Sequence, residues 1–188
     1  QEFERSDLYS SVHQFIMVDA QGNKVTAYCA DQTTTAKDGY NYNVENLEDA
    51  TYYSETEAAM IRTIASNGYW GTADDPETEE AESGSLEAMK EMMRKAQKDG
   101  QPVFTEEEIN NVLSDGVAMT ATQYAIWTFS NAMDDVAFIN AHYVKTNDAL
   151  EASASLGVLG NIPEAEQASV DLIFKLYNYL INLDPDTV

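Results

Sequence analysis

A cysteine thiolate is both a nucleophile and a metal ligand, and this chain carries a single cysteine, Cys29, within Ala27-Tyr28-Cys29-Ala30-Asp31. A lone cysteine closes no internal disulfide, which leaves four roles: packing residue, metal ligand, nucleophile, or one half of some other covalent bond. Packing is the ordinary fate, because unpaired cysteines are among the most buried residues and behave as small hydrophobes. A thiol nucleophile needs a base, usually histidine, and a third group to orient that base. The chain offers His13 and His142. His13 lies on a segment that reads as the strand neighbouring Cys29, and His142 follows Asp134-Asp135 in a helical stretch. Neither sits in a local signature, and no glycine-rich oxyanion element accompanies Cys29. One cysteine and two widely spaced histidines make no CxxC or HxxxH pattern, so no metal site is expected. Neither GxGxxG nor GxxxxGK[ST] occurs, and no cofactor is implied.

The elements that must position Cys29 come from hydrophobic patterning. Tyr9 to Val18 is rich in β-branched and aromatic residues, Ala20-Gln21-Gly22-Asn23 supplies turn chemistry, and Lys24 to Ala30 alternates, which predicts a β-hairpin. Alternation puts Val25, Ala27 and Cys29 on one face, directed inward. The polar stretch Gly39 to Val44 reads as another short strand or a long loop. From Glu55 the pattern turns helical, with Ala58, Ala59, Ile61, Ile64 and Ala65 and a stop at Asn67-Gly68. Asp74 to Gly84 is acidic and has no large apolar residue, which predicts an exposed loop; its spacing does not match a calcium-binding loop. Ser85 to Lys98 places Leu86, Met89, Met93 and Ala96 at helical spacing, closed by Gly100, and its methionine stripe reads as core. Thr105 with Glu108 looks like an N-cap leading to Ile109, Val112 and Leu113. Thr120 or Thr122 is expected to cap a helix through Trp127 and Phe129. A last helix runs from about Pro163 to Asn182 on Val170, Ile173, Tyr177 and Ile181, ended by Leu183-Asp184-Pro185. The fold class is α+β: a small N-terminal β element packed on a predominantly helical body, in one domain over 1–188, with a β-rich part at about 5–50 and a helical part at about 51–184.

Composition narrows the function classes. Hydrophobic residues make up 44% of the chain, enough for a packed core. Ten Lys and Arg stand against 33 Asp and Glu, a formal charge of −23. That balance excludes the basic face that nucleic acid and anionic membranes require, and it favours basic partners such as exposed lysines. No apolar run approaches the ~20 residues of a bilayer span, and no basic-then-apolar signal segment opens the chain. A first residue of Gln1 rather than Met is the expectation for a processed product or an excised piece.

Downstream of the hairpin stands Thr122-Gln123-Tyr124-Ala125-Ile126-Trp127. Together with Tyr28-Cys29-Ala30-Asp31 it resembles the thioester domains of Gram-positive surface adhesins, whose motif is Thr-Gln-x-Ala. Asn67-Gly68-Tyr69 and Leu176-Tyr177-Asn178-Tyr179-Leu180 support the resemblance in the family's order, so it spans most of the chain. The sequence departs from many relatives in having no proline soon after Cys29; the first is Pro76.

The resemblance implies an internal bond between the Cys29 sulfur and the Gln123 side-chain carbonyl, made with loss of ammonia. Tyr28, Tyr124 and Trp127 would shield it as an aromatic wall or serve as plain core, and His142 or an acidic side chain would assist as base. A Gln123 in the first turn of its helix would have its carbonyl near unpaired backbone N–H groups. The resemblance further implies a lysine amine of a host extracellular or cell-surface protein as partner, an isopeptide product, and a monomer that reacts once and does not turn over. The location implied is extracellular, on a cell-wall-anchored or pilus-associated protein. Two other readings stay open: a non-covalent surface-binding module of the same fold, and a cysteine hydrolase using Cys29 with His13 or His142.

Overall fold

The computed structural model describes residues 3–5, 13–30, 46–49, 52–75, 81–130 and 164–185. Three antiparallel strands open it in the order β1 (Phe3–Arg5), β2 (His13–Val18) and β3 (Lys24–Tyr28), with Phe3 opposite Phe15 and Gln14 opposite Tyr28. The expected hairpin is β2–β3. Its turn is held by Asp19, whose carboxylate accepts from the backbone N–H groups of Gln21 and Asn23, each at 2.8 Å, while Gly22 takes a positive φ of 86°. β1 was not legible in the sequence, because three residues carry no measurable alternation. Phe15 of β2 is buried. The inward face expected for Val25, Ala27 and Cys29 is not continuous: Val25 is exposed and Ala27 and Cys29 are half-buried. β3 ends at Tyr28, so strand alternation does not orient Cys29.

The helices follow from local capping and from burial. In α1 (Glu55–Asn67), Ser54 and Glu57 form a capping box, the Ser54 hydroxyl accepting from the Glu57 N–H at 3.2 Å and the Glu57 carboxylate accepting from the Ser54 N–H at 2.7 Å. Ser85 caps α2 (Leu86–Lys95) through the Ala88 N–H at 3.1 Å, and Met89 and Met93 enter the core, as the stripe predicted. α2 ends three residues earlier than its pattern suggested. Gly100 does not close it: Asp99 and Gly100, with φ of 53° and 75°, form the turn of a small hairpin between β4 (Gln97–Lys98) and β5 (Gln101–Pro102). Two successive positive φ values are the signature of the tight turn that Asp-Gly favours.

Thr105 and Glu108 again form a capping box, which opens into a single π-helical turn, Glu108–Val112, with Ile109 buried. The expected start of the next helix is wrong. α3 runs from Asp115 to Ser130 and is capped by Ser114, which accepts the Val117 N–H at 3.3 Å; neither Thr120 nor Thr122 is a cap. A 3-10 turn, Glu164–Glu166, then leads into α4 (Gln167–Ile181), whose Val170, Ile173 and Tyr177 are buried.

α3 is the centre of the body, packed against α1, α2 and α4. Every residue from Val117 to Thr128 is buried. A helix that is apolar on all sides belongs inside a protein, and here it carries the Thr-Gln-x-Ala motif through the core. The stretch Gly39 to Val44, residues 76–80 of the acidic segment, His142 and Pro163 lie outside the described residues.

Candidate functional site

At 3.6 residues per turn, positions 123, 127 and 130 of α3 share one face. The chain leaving β3 runs along that face. Cys29 donates its backbone N–H to Gln123 Oε1 at 3.0 Å, and Gln123 Nε2 donates back to the Cys29 carbonyl at 2.8 Å. Two turns further on, the Ser130 hydroxyl donates to the Ala30 carbonyl at 3.0 Å. Gln123 is completely buried, where an unpartnered carboxamide costs about 1–3 kcal/mol. One residue's backbone satisfies both of its ends. Residues 94 positions apart in sequence are thus held with the Gln123 carbonyl against the residue that carries the thiol.

This arrangement replaces one expectation. Because α3 begins at Asp115, Gln123 lies in the helix interior, where backbone N–H groups are already bonded within the helix. The donor aimed at the Gln123 carbonyl oxygen is instead the N–H of Cys29. A donor held on the oxygen of an acyl group is the geometry that stabilises the negative charge a nucleophile's attack would place there.

The aromatic residues divide into two groups. Tyr28 stands on the cysteine side: its ring meets Trp70 edge-on at 4.9 Å and 70°, and its hydroxyl donates to the Tyr69 carbonyl. Tyr124 faces α4, with ring contacts to Phe174 at 6.3 Å and to Tyr177 at 6.4 Å, which is core packing. Trp127 stacks on Tyr124 at 6.0 Å and lies on the Gln123 face one turn further along; its buried indole N–H has no hydrogen-bond acceptor among the described residues. Burial pushes the Tyr177 hydroxyl up to about 12, although its bond with Thr128 works the other way, so it stays neutral at physiological pH. The β2–β3 register ends at the Gln14–Tyr28 pair, and His13 pairs with Arg5 of β1; the His13 side chain lies outside the described atoms, as does all of His142.

Four participants are not among the site residues expected from the sequence: Thr122, Tyr69, Trp70 and Ser130. The Thr122 hydroxyl accepts the Tyr69 N–H at 3.0 Å and donates to the Ala118 carbonyl at 2.9 Å. Trp70 donates its indole N–H to the Ala65 carbonyl at 2.6 Å and its backbone N–H to the Gly84 carbonyl at 2.7 Å. Ser130 anchors Ala30. Thr122 and Tyr69 fall in motifs that the sequence displays, whereas nothing in the sequence marks Trp70 or Ser130. Among the described residues, no cluster of three or more His, Cys, Asp or Glu side chains is placed to hold a metal ion.

A family model described as "Thioester domain" matches residues 26–184, a span that takes in Cys29, Gln123 and all the helices described above. No curated protein and no solved structure matches the chain.

Proposed function

Because the chain belongs to the thioester domain family, we propose that its working group is a thioester between the Cys29 sulfur and the Gln123 acyl carbon, used to capture amines covalently. The observation that carries this reading is the pair of opposed hydrogen bonds between the Gln123 carboxamide and the Cys29 backbone. They convert a bimolecular encounter into an intramolecular one, where effective concentrations of about 10⁵ M or more are attainable.

In the forming step the Cys29 sulfur adds to Gln123 Cδ, and the charge that develops on Oε1 falls on the atom that the Cys29 N–H already holds. The C–N bond then breaks, Nε2 departs as ammonia with the thiol proton, and the C–S bond remains. In the capturing step a neutral primary amine adds to the same carbon. The C–S bond breaks, Cys29 leaves as thiolate and takes a proton from the nitrogen, and an amide to the amine remains. The entering nitrogen retraces the path of the departing ammonia, so it meets the Cys29 carbonyl, the acceptor that Nε2 used.

The amine in this reading is a lysine side chain on a host extracellular or cell-surface protein, giving an isopeptide bond. The domain acts once, as a monomeric covalent anchor on a cell-wall-anchored or pilus-associated protein of a Gram-positive bacterium. A charge of −23 favours approach of lysine-rich surfaces, an attraction that added salt weakens. No described helix is long and apolar enough to cross a membrane.

Intact mass of fresh, untreated protein tests the proposal. It should fall short of the sequence mass by one ammonia, and the shortfall should vanish in Cys29→Ala and in Gln123→Ala. Methylamine should add once, at Gln123. A full sequence mass in untreated protein sinks the reading. The second reading is a cysteine hydrolase using Cys29 with His13 or His142. It requires that His13→Ala or His142→Ala abolish activity and that Gln123→Ala be tolerated, the reverse of the outcome expected here.

A further inference from the structure

The reaction removes one of the two contacts that prepare it. Nε2 of Gln123 is the leaving nitrogen, so its hydrogen bond to the Cys29 carbonyl departs with the ammonia. Cys29 itself lies just beyond the end of β3.

A second set of contacts bypasses the reacting atoms. Thr122 immediately precedes Gln123, Tyr28 immediately precedes Cys29, and Tyr69 stands between the two. The Tyr69 N–H donates to Thr122 Oγ1 at 3.0 Å, and the Tyr69 carbonyl accepts from the Tyr28 hydroxyl. Each end is fixed in turn. Thr122 commits its own proton to the Ala118 carbonyl at 2.9 Å, which leaves its oxygen as the acceptor for Tyr69. The Tyr28 ring rests on Trp70, and Trp70 is tied to α1 through the Ala65 carbonyl. None of these bonds involves an atom that the chemistry makes or breaks.

We infer that Thr122, Tyr69 and Tyr28 form a positioning brace that fixes the segment carrying Cys29 against α3 through atoms the reaction leaves untouched, so that thiol and carboxamide are aligned before the bond forms and the thioester keeps its place afterwards. The inference rests on the thioester reading above. The brace sets how completely the thioester forms and how long it outlasts water, because a displacement of about 1 Å in such a site costs on the order of 10²-fold in rate.

The test uses substitutions that delete one hydroxyl each. Tyr28→Phe and Thr122→Val break the two ends of the brace, and Thr122→Ser keeps the hydroxyl. Thr128→Val is the control: it breaks another buried Thr–Tyr pair of α3, in which Thr128 Oγ1 meets the Tyr177 hydroxyl at 2.8 Å. Intact mass over time gives the fraction lacking ammonia and its hydrolysis half-life, and thermal melting gives stability.

Tyr28→Phe and Thr122→Val should each shorten the half-life about five-fold, a single hydrogen bond's worth. The double variant should be little worse than the poorer single one, because both act through Tyr69. Thr122→Ser should match the unaltered protein, and Thr128→Val should melt lower with an unchanged half-life. A folded Tyr28→Phe that shows no ammonia loss at all is the same result carried further. If Thr122→Val does not fold, Tyr28→Phe, which keeps its ring on Trp70, decides alone. An unchanged half-life in Tyr28→Phe, or a Thr128→Val that hydrolyses equally fast, overturns the brace. A full sequence mass in the unaltered protein overturns the thioester reading instead.

Discussion

The Gln123 carboxamide bonds through its oxygen and its nitrogen to the backbone of one residue, Cys29, at 3.0 and 2.8 Å. The oxygen needs a donor opposite it and the nitrogen needs an acceptor, so the site distinguishes an amide from an acid. Hydrolysis of the thioester leaves a glutamate at position 123, which places an oxygen where Nε2 faced the Cys29 carbonyl.

Gln123→Glu reproduces that spent state directly. Two acceptors in contact, in a fully buried site, raise the carboxyl pKa in the folded protein. A group whose folded pKa is raised contributes stability below its unfolded pKa, about 4.3 for Glu, and loses it as pH rises through the folded value. Each unit of elevation costs about 1.4 kcal/mol at neutral pH. The melting temperature of Gln123→Glu should therefore rise on acidification from pH 7 to pH 5, relative to Cys29→Ala under the same conditions. Parallel profiles for the two variants would count against the geometry described for residue 123.

Gly68→Ala tests how closely the loop after α1 approaches the motif helix. A Cβ there would lie 2.6 Å from Thr122 Cγ2 and 2.7 Å from the Ile64 carbonyl oxygen. The backbone conformation, with φ of −86°, is open to any residue, so space alone demands glycine. Overpacking of this kind costs about 1–3 kcal/mol. It should also push Tyr69 away from Thr122, so chemical denaturation should show the lower stability and intact mass the faster hydrolysis together. Wild-type stability in Gly68→Ala would mean that the loop stands further from α3 than described.

Thr120→Val should stabilise the protein. Thr120 is buried on α3 and its hydroxyl has no hydrogen-bond partner among the described residues. Removing a buried, unsatisfied polar group recovers about 1–3 kcal/mol of desolvation cost, and valine keeps the shape. The expected readout is a higher denaturation midpoint with an unchanged dependence on denaturant. A loss of stability would reveal a partner for this hydroxyl.

What the sequence discloses follows the range of the interactions. The caps at Ser54 and Ser85 are local, and both helices start where their residues predict. The start of α3 is hidden because the helix is buried on every side, so no periodicity marks its beginning, and its internal threonines look like caps. Thr122 and Thr128 in fact turn their hydroxyls back to carbonyls one turn earlier, at 2.9 Å each. Gly100 resembles a helix stop in the sequence because glycine serves both helix ends and hairpin turns. At the site, resemblance supplied the pairing of Cys29 with Gln123 and not the manner of their contact. That contact runs through the backbone of Cys29, and the Tyr28 bond to Tyr69 ends on a backbone carbonyl. Every residue has such groups, so these bonds leave no pattern of residue types to read.

The joint between α4 and the π-helical turn gives a prediction that depends on pH. Lys175 donates to both Glu108 oxygens, at 2.8 and 2.9 Å, and lies 5.5 Å from the centre of the Phe104 ring. Partial burial pushes the Glu108 carboxyl up, but the Lys175 ammonium and the Thr105 N–H outweigh it and hold the group below its ordinary 4.5. A depressed folded pKa contributes stability above the unfolded value, and that contribution is lost as pH falls through the folded one. Lys175→Met should therefore cost about 1 kcal/mol near neutral pH, a charged hydrogen bond discounted for solvent exposure. The gap between variant and unaltered protein should narrow as the pH drops below 4.5. Taking the difference matters here, because acidification also relieves the repulsion among 33 Asp and Glu side chains in both proteins alike. Paired denaturant titrations at pH 7, 5 and 3.5 measure it, and a gap that stays constant across them would show that Glu108 is not held by Lys175.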